Sequence, residues 1–98
     1  MSTSELQELC ENVTQLTQEV GDFIRGERKH FKQSSVEKKG HNDLVSYVDK
    51  TAEQMLVNGL SELLPGSGFI TEEKTSSVKG QVYNWIIDPL DGTTNFIH

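Results

Sequence analysis

Two apolar segments of this chain, at 69–71 and 82–87, each run directly into carboxylates: "GFITEE" ends in Glu72 and Glu73, and "VYNWIIDPLD" in Asp88 and Asp91. Short apolar runs bounded by turn residues read as strands, and the second, apolar on both faces, reads as a central strand of a sheet. If the two are neighbours, up to four carboxylates meet at one sheet edge. Like charges at that density are tolerated only when they are protonated, well solvated or neutralised by a cation. Oxygen donors with no histidine or cysteine beside them point to Mg²⁺ or Mn²⁺ rather than Zn²⁺.

The residues around Asp88 and Asp91 sharpen this. Pro89 fixes its own φ and restricts Asp88, a rigid bend that aims the Leu90 carbonyl inwards beside the two carboxylates. Gly92 permits close backbone approach, and Thr93, Thr94 and Asn95 are residues that start helices. Free N–H groups at a helix start bind anions, so a phosphate fits between those donors and cations held by Asp88 and Asp91. Taken singly, Asp91-Gly92 is an ordinary turn signal and Glu72-Glu73 an ordinary solvated loop. An EF-hand is excluded, because Asp88 and Asp91 are separated by Pro89 and Leu90 and are not followed by a distal glutamate. His30, His41 and His98 have no partners at ligand spacing and are read as structural.

Upstream, Leu6, Leu9, Val13, Leu16, Val20 and Phe23 recur at helical spacing, predicting a long amphipathic helix over 4–30 with Ser4 and Gln7 as a capping box. Gly21 and Gly26 are expected to mark close packing, and the heptad-like seam leaves a dimeric coiled coil open. Six of the nine basic residues lie between 25 and 39, which reads as a solvated helix end; Lys38 and Lys39 are placed to face whatever the acidic site binds. "GHNDLVSYVD" reads as a short strand or extended pair around Gly40. A second helix is expected from Asp49, with Asp49 as its N-cap or as a member of the site. Its apolar face is Ala52, Met55, Leu56, Leu60, Leu63 and Leu64, and "PGSG" ends it.

A formal net charge of −6 provides no basic field for nucleic acid. Cys10 is the sole cysteine, which rules out an internal disulfide and a thiolate zinc cluster and suits a reducing compartment. There is no signal-peptide pattern and no apolar run approaching the ~18 residues of a membrane span, so a soluble, cytoplasmic protein is expected.

The string "WIIDPLDGTTNF" resembles the signature of the inositol monophosphatase family of Mg²⁺-dependent, lithium-sensitive phosphatases. "NDLVSYVD" and "GFITEE" are similar to that family's Asp-Leu-Val and Glu-Glu segments in the expected order, and the long first helix also fits. The resemblance covers essentially the whole chain. Asn95-Phe96 favours this branch over fructose bisphosphatases and phosphoadenosine phosphatases. One departure is Thr71, where the family usually has glycine.

The resemblance implies an α/β fold, an α+β layered sandwich of the sugar phosphatase type. It also implies Mg²⁺ as cofactor, in two or three ions, with Mn²⁺ possible. Glu72, Asp88 and the Leu90 carbonyl would bind one ion, and Asp88 and Asp91 would help hold a second. Glu73 would be a supporting acid. Thr93 and Asp49 would polarise the water that attacks phosphorus in line, and the amides of Gly92 and Thr93, with Thr94 and Asp91, would contact phosphate or substrate. The implied reaction is hydrolysis of a small polyol phosphate, myo-inositol 1-phosphate above all, by a homodimer with no nucleic-acid or membrane partner.

Family members are considerably longer, so residues 1–98 are expected to be the N-terminal part of a catalytic domain, a piece of a longer enzyme. A further aspartate and most of the substrate pocket would come later, and this piece would leave an unpaired strand edge and an unfilled helix face. Two alternatives stand beside the leading reading: a related sugar bisphosphatase or phosphonucleotide phosphatase, and a non-catalytic metal-binding or association fragment.

Overall fold

The computed structural model describes the backbone at 1–33, 38–73 and 78–88, and side chains within those ranges outside 30–44. Four elements follow in order: α1 (Thr3–Gln33), α2 (Lys38–Leu63), β1 (Gly68–Thr71) and β2 (Asn84–Ile87).

The long first helix forms as its periodicity demands, but its cap lies two residues earlier than expected. Ser2 Oγ accepts the Glu5 N–H at 3.1 Å while Glu5 Oε1 accepts the Ser2 N–H at 3.3 Å. This reciprocal pair satisfies two end groups and replaces the Ser4–Gln7 box. The same Ser2 hydrogen bonds hold the Glu5 carboxyl below its ordinary value. The apolar seam of α1 is used within the chain. Val13 and Leu16 pack against the buried cluster of Val57, Leu60, Phe69 and Ile87, while Phe23 and Ile24 pack against Val45 and Val48 of α2. Neither Gly21 nor Gly26 is where the helices meet closely. That place is Gly59 of α2, where an added Cβ would lie 2.6 Å from both Leu16 methyls.

The second helix overturns two expectations. The segment around Gly40 is helical, because α2 begins at Lys38, and Asp49 therefore sits inside the helix rather than capping it. The β-branched residues of "LVSYV" carry strand propensity, which misleads here. Val45 and Val48 continue the spacing of Ala52 and Leu56 along one face, and their burial against Phe23 and Ile24 outweighs local preference. Phe23 also meets Tyr47 edge-on at 6.3 Å between ring centres.

Helix α2 ends through a tight turn. Pro65 presets its φ, Gly66 takes a φ of +85° that other residues rarely adopt, and the Ser67 N–H closes onto the Leu64 carbonyl at 3.2 Å. The Ser67 hydroxyl donates to that same carbonyl at 2.7 Å and accepts the Trp85 indole N–H at 3.0 Å, tying the helix end to β2.

Strands β1 and β2 pair in parallel, Gly68 with Asn84, Phe69 with Trp85, Ile70 with Ile86 and Thr71 with Ile87. The inner face buries Phe69 and Ile87 and half-buries Trp85 beneath the helices. The outer face is open among the described residues, with Ile70 60 % and Ile86 82 % exposed. Val82 and Tyr83, read as part of the second strand, precede it and are exposed. Among the described residues β2 pairs with β1 alone.

Candidate functional site

Because the strands are parallel, both chains leave the sheet at the same end. The register pairs Thr71 with Ile87, and the Glu72 N–H extends it by donating to the Ile87 carbonyl at 3.3 Å. Glu72 and Asp88 therefore emerge at one edge, both exposed, with Glu73 half-buried behind them. The parallel register brings the backbones of Glu72 and Asp88 to one edge, with Glu73 following Glu72. Leu90, Asp91, Gly92, Thr93 and Thr94 lie outside the described residues.

From the other side α2 contributes Asp49 and Glu53, one helical turn apart and both buried; Asp49 is 8 % exposed and Glu53 0 %. Glu53 Oε1 accepts the backbone N–H of Glu73 at 2.9 Å. The Asp49 carboxyl is raised from 3.8 to about 7. Burial is the largest cause, followed by a hydrogen bond with the Glu73 side chain and the negative charges of Glu73, Asp88 and Glu53. Its Oδ1 is buried and has no hydrogen-bond partner among the described residues.

Glu53 was not identified from the sequence. Once α2 is known to run through Asp49, the i, i+4 spacing puts Glu53 on the same side of the helix, and that is the signal that reveals it.

A carboxyl whose proton is held more tightly by burial first and by neighbouring carboxylates second, with one oxygen lacking a partner among the described residues, is one whose ionised form a nearby cation would favour. The donors fit a hard divalent cation, being carboxylate oxygens alone. Among the described residues no three such side chains are placed to hold a metal ion by themselves. The remaining candidate ligands, Leu90 and Asp91, fall after residue 88.

The raised Asp49 value has a consequence for stability in the absence of cations. The unfolded chain releases this proton near pH 4 and the native state near pH 7, so between those values the native state binds more protons. The contribution is complete below about pH 4 and is lost as pH rises through about 7. Urea unfolding in EDTA at pH 5 and 7.5 should show wild type losing on the order of a few kcal/mol relative to Asp49→Asn across that interval. Equal pH dependence of the two proteins would contradict it.

The elements thus form an α/β unit whose parallel strand ends and second helix converge carboxylates on one edge. The sequence profile of the inositol monophosphatase family matches residues 5–98. A protein named inositol monophosphatase 2 from Solanum lycopersicum is 36 % identical over 98 residues, covering 95 % of this chain and 36 % of that protein. Inositol monophosphatase 1 of Rattus norvegicus is 38 % identical over 96 residues, covering 94 % of this chain and 34 % of the relative. A protein of Aquifex aeolicus named fructose-1,6-bisphosphatase/inositol-1-monophosphatase is 42 % identical over 78 residues, 80 % of this chain and 30 % of its own length. The chain belongs to the inositol monophosphatase family. It spans about a third of the length of these relatives. No helix among the described residues is long and apolar enough to cross a membrane.

Proposed function

We propose that the chain supplies the cation-binding edge of a Mg²⁺-dependent phosphomonoesterase acting on a small polyol phosphate, myo-inositol 1-phosphate in the first instance. The observation that carries this reading is the emergence of Glu72 and Asp88 from paired parallel strands at one sheet edge, beside a buried Asp49 that has one oxygen without a partner among the described residues. Glu72 and Asp88, with the Leu90 carbonyl and Asp91, would hold Mg²⁺ in two or three ions. Divalent cations supply an activated water and neutralise phosphate charge when bound.

The chain's own residues divide the remaining work. Asp49 orients the attacking water together with Thr93, and Glu73 supports Asp49 through the hydrogen bond between their side chains. The backbone donors of Gly92 and Thr93, with Thr94, hold phosphate oxygens, and Asp91 contributes to the substrate contacts. The protein acts in the cytoplasm as a homodimer.

A second reading, a sugar bisphosphatase, draws on the Aquifex relative, whose name carries both activities. Phosphate release by the full-length protein from inositol 1-phosphate and fructose 1,6-bisphosphate separates them, run with and without Mg²⁺ and with added Li⁺. Mg²⁺-dependent turnover of the inositol ester, suppressed by Li⁺, is expected. Turnover of the bisphosphate alone moves the assignment to the second reading. Hydrolysis of neither leaves the carboxylates a non-catalytic cation site.

A further inference from the structure

We infer that Glu53 is a positioning residue for the cation-binding edge, acting through the backbone of Glu73; this rests on the reading of Glu72 and Asp88 as Mg²⁺ ligands. Glu53 is one of the two largest side chains sealed completely from solvent, the other being Val48. Fully burying a carboxylate is unfavourable unless its oxygens are engaged. Its Oε1 is engaged by the Glu73 N–H at 2.9 Å, across 20 residues of sequence and between two different elements. That bond fixes the first turn after β1 to α2.

The consequence is geometric. Glu72 is held on one side by its N–H to the Ile87 carbonyl of β2, and the next peptide is held on the other by Glu53 of α2. These two bonds act on consecutive N–H groups and set where the Glu72 carboxylate emerges relative to Asp88. Asp49, one turn before Glu53 on the same helix, is brought into register with Glu73 by the same anchor. A carboxylate that touches no ligand itself thereby determines the spacing of those that do. Outer groups of this kind commonly change cation affinity by roughly 10- to 100-fold when removed.

Two substitutions separate this role from simple core filling. Glu53→Gln keeps an oxygen acceptor for the Glu73 N–H, whereas Glu53→Met keeps length and approximate volume but has no oxygen. MgCl₂ titration followed by calorimetry on the full-length protein gives the affinity. Amide hydrogen exchange at Glu73, measured in EDTA, reports the anchor without any cation. The expectation for Glu53→Gln is protection at Glu73 and a Mg²⁺ half-saturation within about threefold of wild type. Glu53→Met should lose the protection and raise the half-saturation roughly tenfold or more. Wild-type Mg²⁺ affinity in Glu53→Met overturns the inference, as does an equal loss in both variants, which would assign the effect to charge. If wild type itself fails to bind Mg²⁺, the cation reading falls and takes this role with it; the Glu73 exchange then still reports whether the anchor exists.

Discussion

On the proposed function, Asp88→Asn in the full-length protein should abolish Mg²⁺-dependent phosphate release, lowering kcat by about 10³-fold or more, while leaving the fold intact. Asp88 follows the last residue of β2, is exposed, and comes out beside Glu72 at the shared strand end. The amide preserves size and can still coordinate through one oxygen, but it removes the charge on which affinity for a hard cation depends. The effect on stability runs the other way. Asp88 is among the charges that raise the Asp49 carboxyl, so its neutralisation relieves repulsion and the metal-free unfolding midpoint should hold or rise. Lost turnover with an undiminished midpoint separates a ligand role from a structural one. Turnover like that of wild type would remove Asp88 from the site and with it the assignment of this edge.

Much of this arrangement was legible in the sequence because it depends on local pattern. The α1 seam, the end of α2 at Pro65 and Gly66, and the first strand running into Glu72 and Glu73 all follow from apolar periodicity and turn chemistry. The meeting of Glu72 with Asp88 was conditional on the strands being neighbours, and their parallel register satisfies that condition. Where the reading failed, long-range packing decided. Val45, Tyr47 and Val48 favour a strand locally, but in the helix Val45 and Val48 are buried against Phe23 and Ile24, and Tyr47 meets the Phe23 ring edge-on. The lost helical turns concealed Glu53, because a helix begun at Asp49 places that glutamate in its first turn, where an acidic residue is unremarkable. The cap at Ser2 was missed for a different reason: Ser2–Glu5 and Ser4–Gln7 both match the pattern, and only geometry distinguishes them.

The site also depends on a backbone contact that no periodicity signals, and Gly80→Ala should cost about 3 kcal/mol or more in the full-length protein. Segment 78–80 lies along β1, where the Phe69 N–H donates to the Val78 carbonyl at 2.7 Å and the Gly80 N–H donates to Asn84 Oδ1 at 2.8 Å. A Cβ on Gly80 would collide with the Tyr83 carbonyl oxygen and sit 2.5 Å from the Gly68 nitrogen; one on Gly68 would collide with the Gly80 nitrogen and Asn84 Oδ1. Most of these are main-chain atoms with no rotamer to yield, so the segment must leave the strand and surrender those hydrogen bonds. Gly68→Ala should therefore be similarly damaging, and the double variant little worse than either single one, since both act on the same contact. Gly26→Ala provides the opposite control. Among the described residues nothing lies within 4 Å of its added methyl, and there the better helix former should stabilise by about 0.5–1 kcal/mol. Urea unfolding followed by circular dichroism measures all four variants, and a Gly80→Ala protein within about 0.5 kcal/mol of wild type would show that segment 78–80 can move aside freely. The effect should reach the carboxylates as well. Segment 78–80 is bonded to the first residue of β2 through Asn84, so displacing it shifts the strand that delivers Asp88. Whatever Gly80→Ala protein remains folded should then need more Mg²⁺ for half-saturation than wild type.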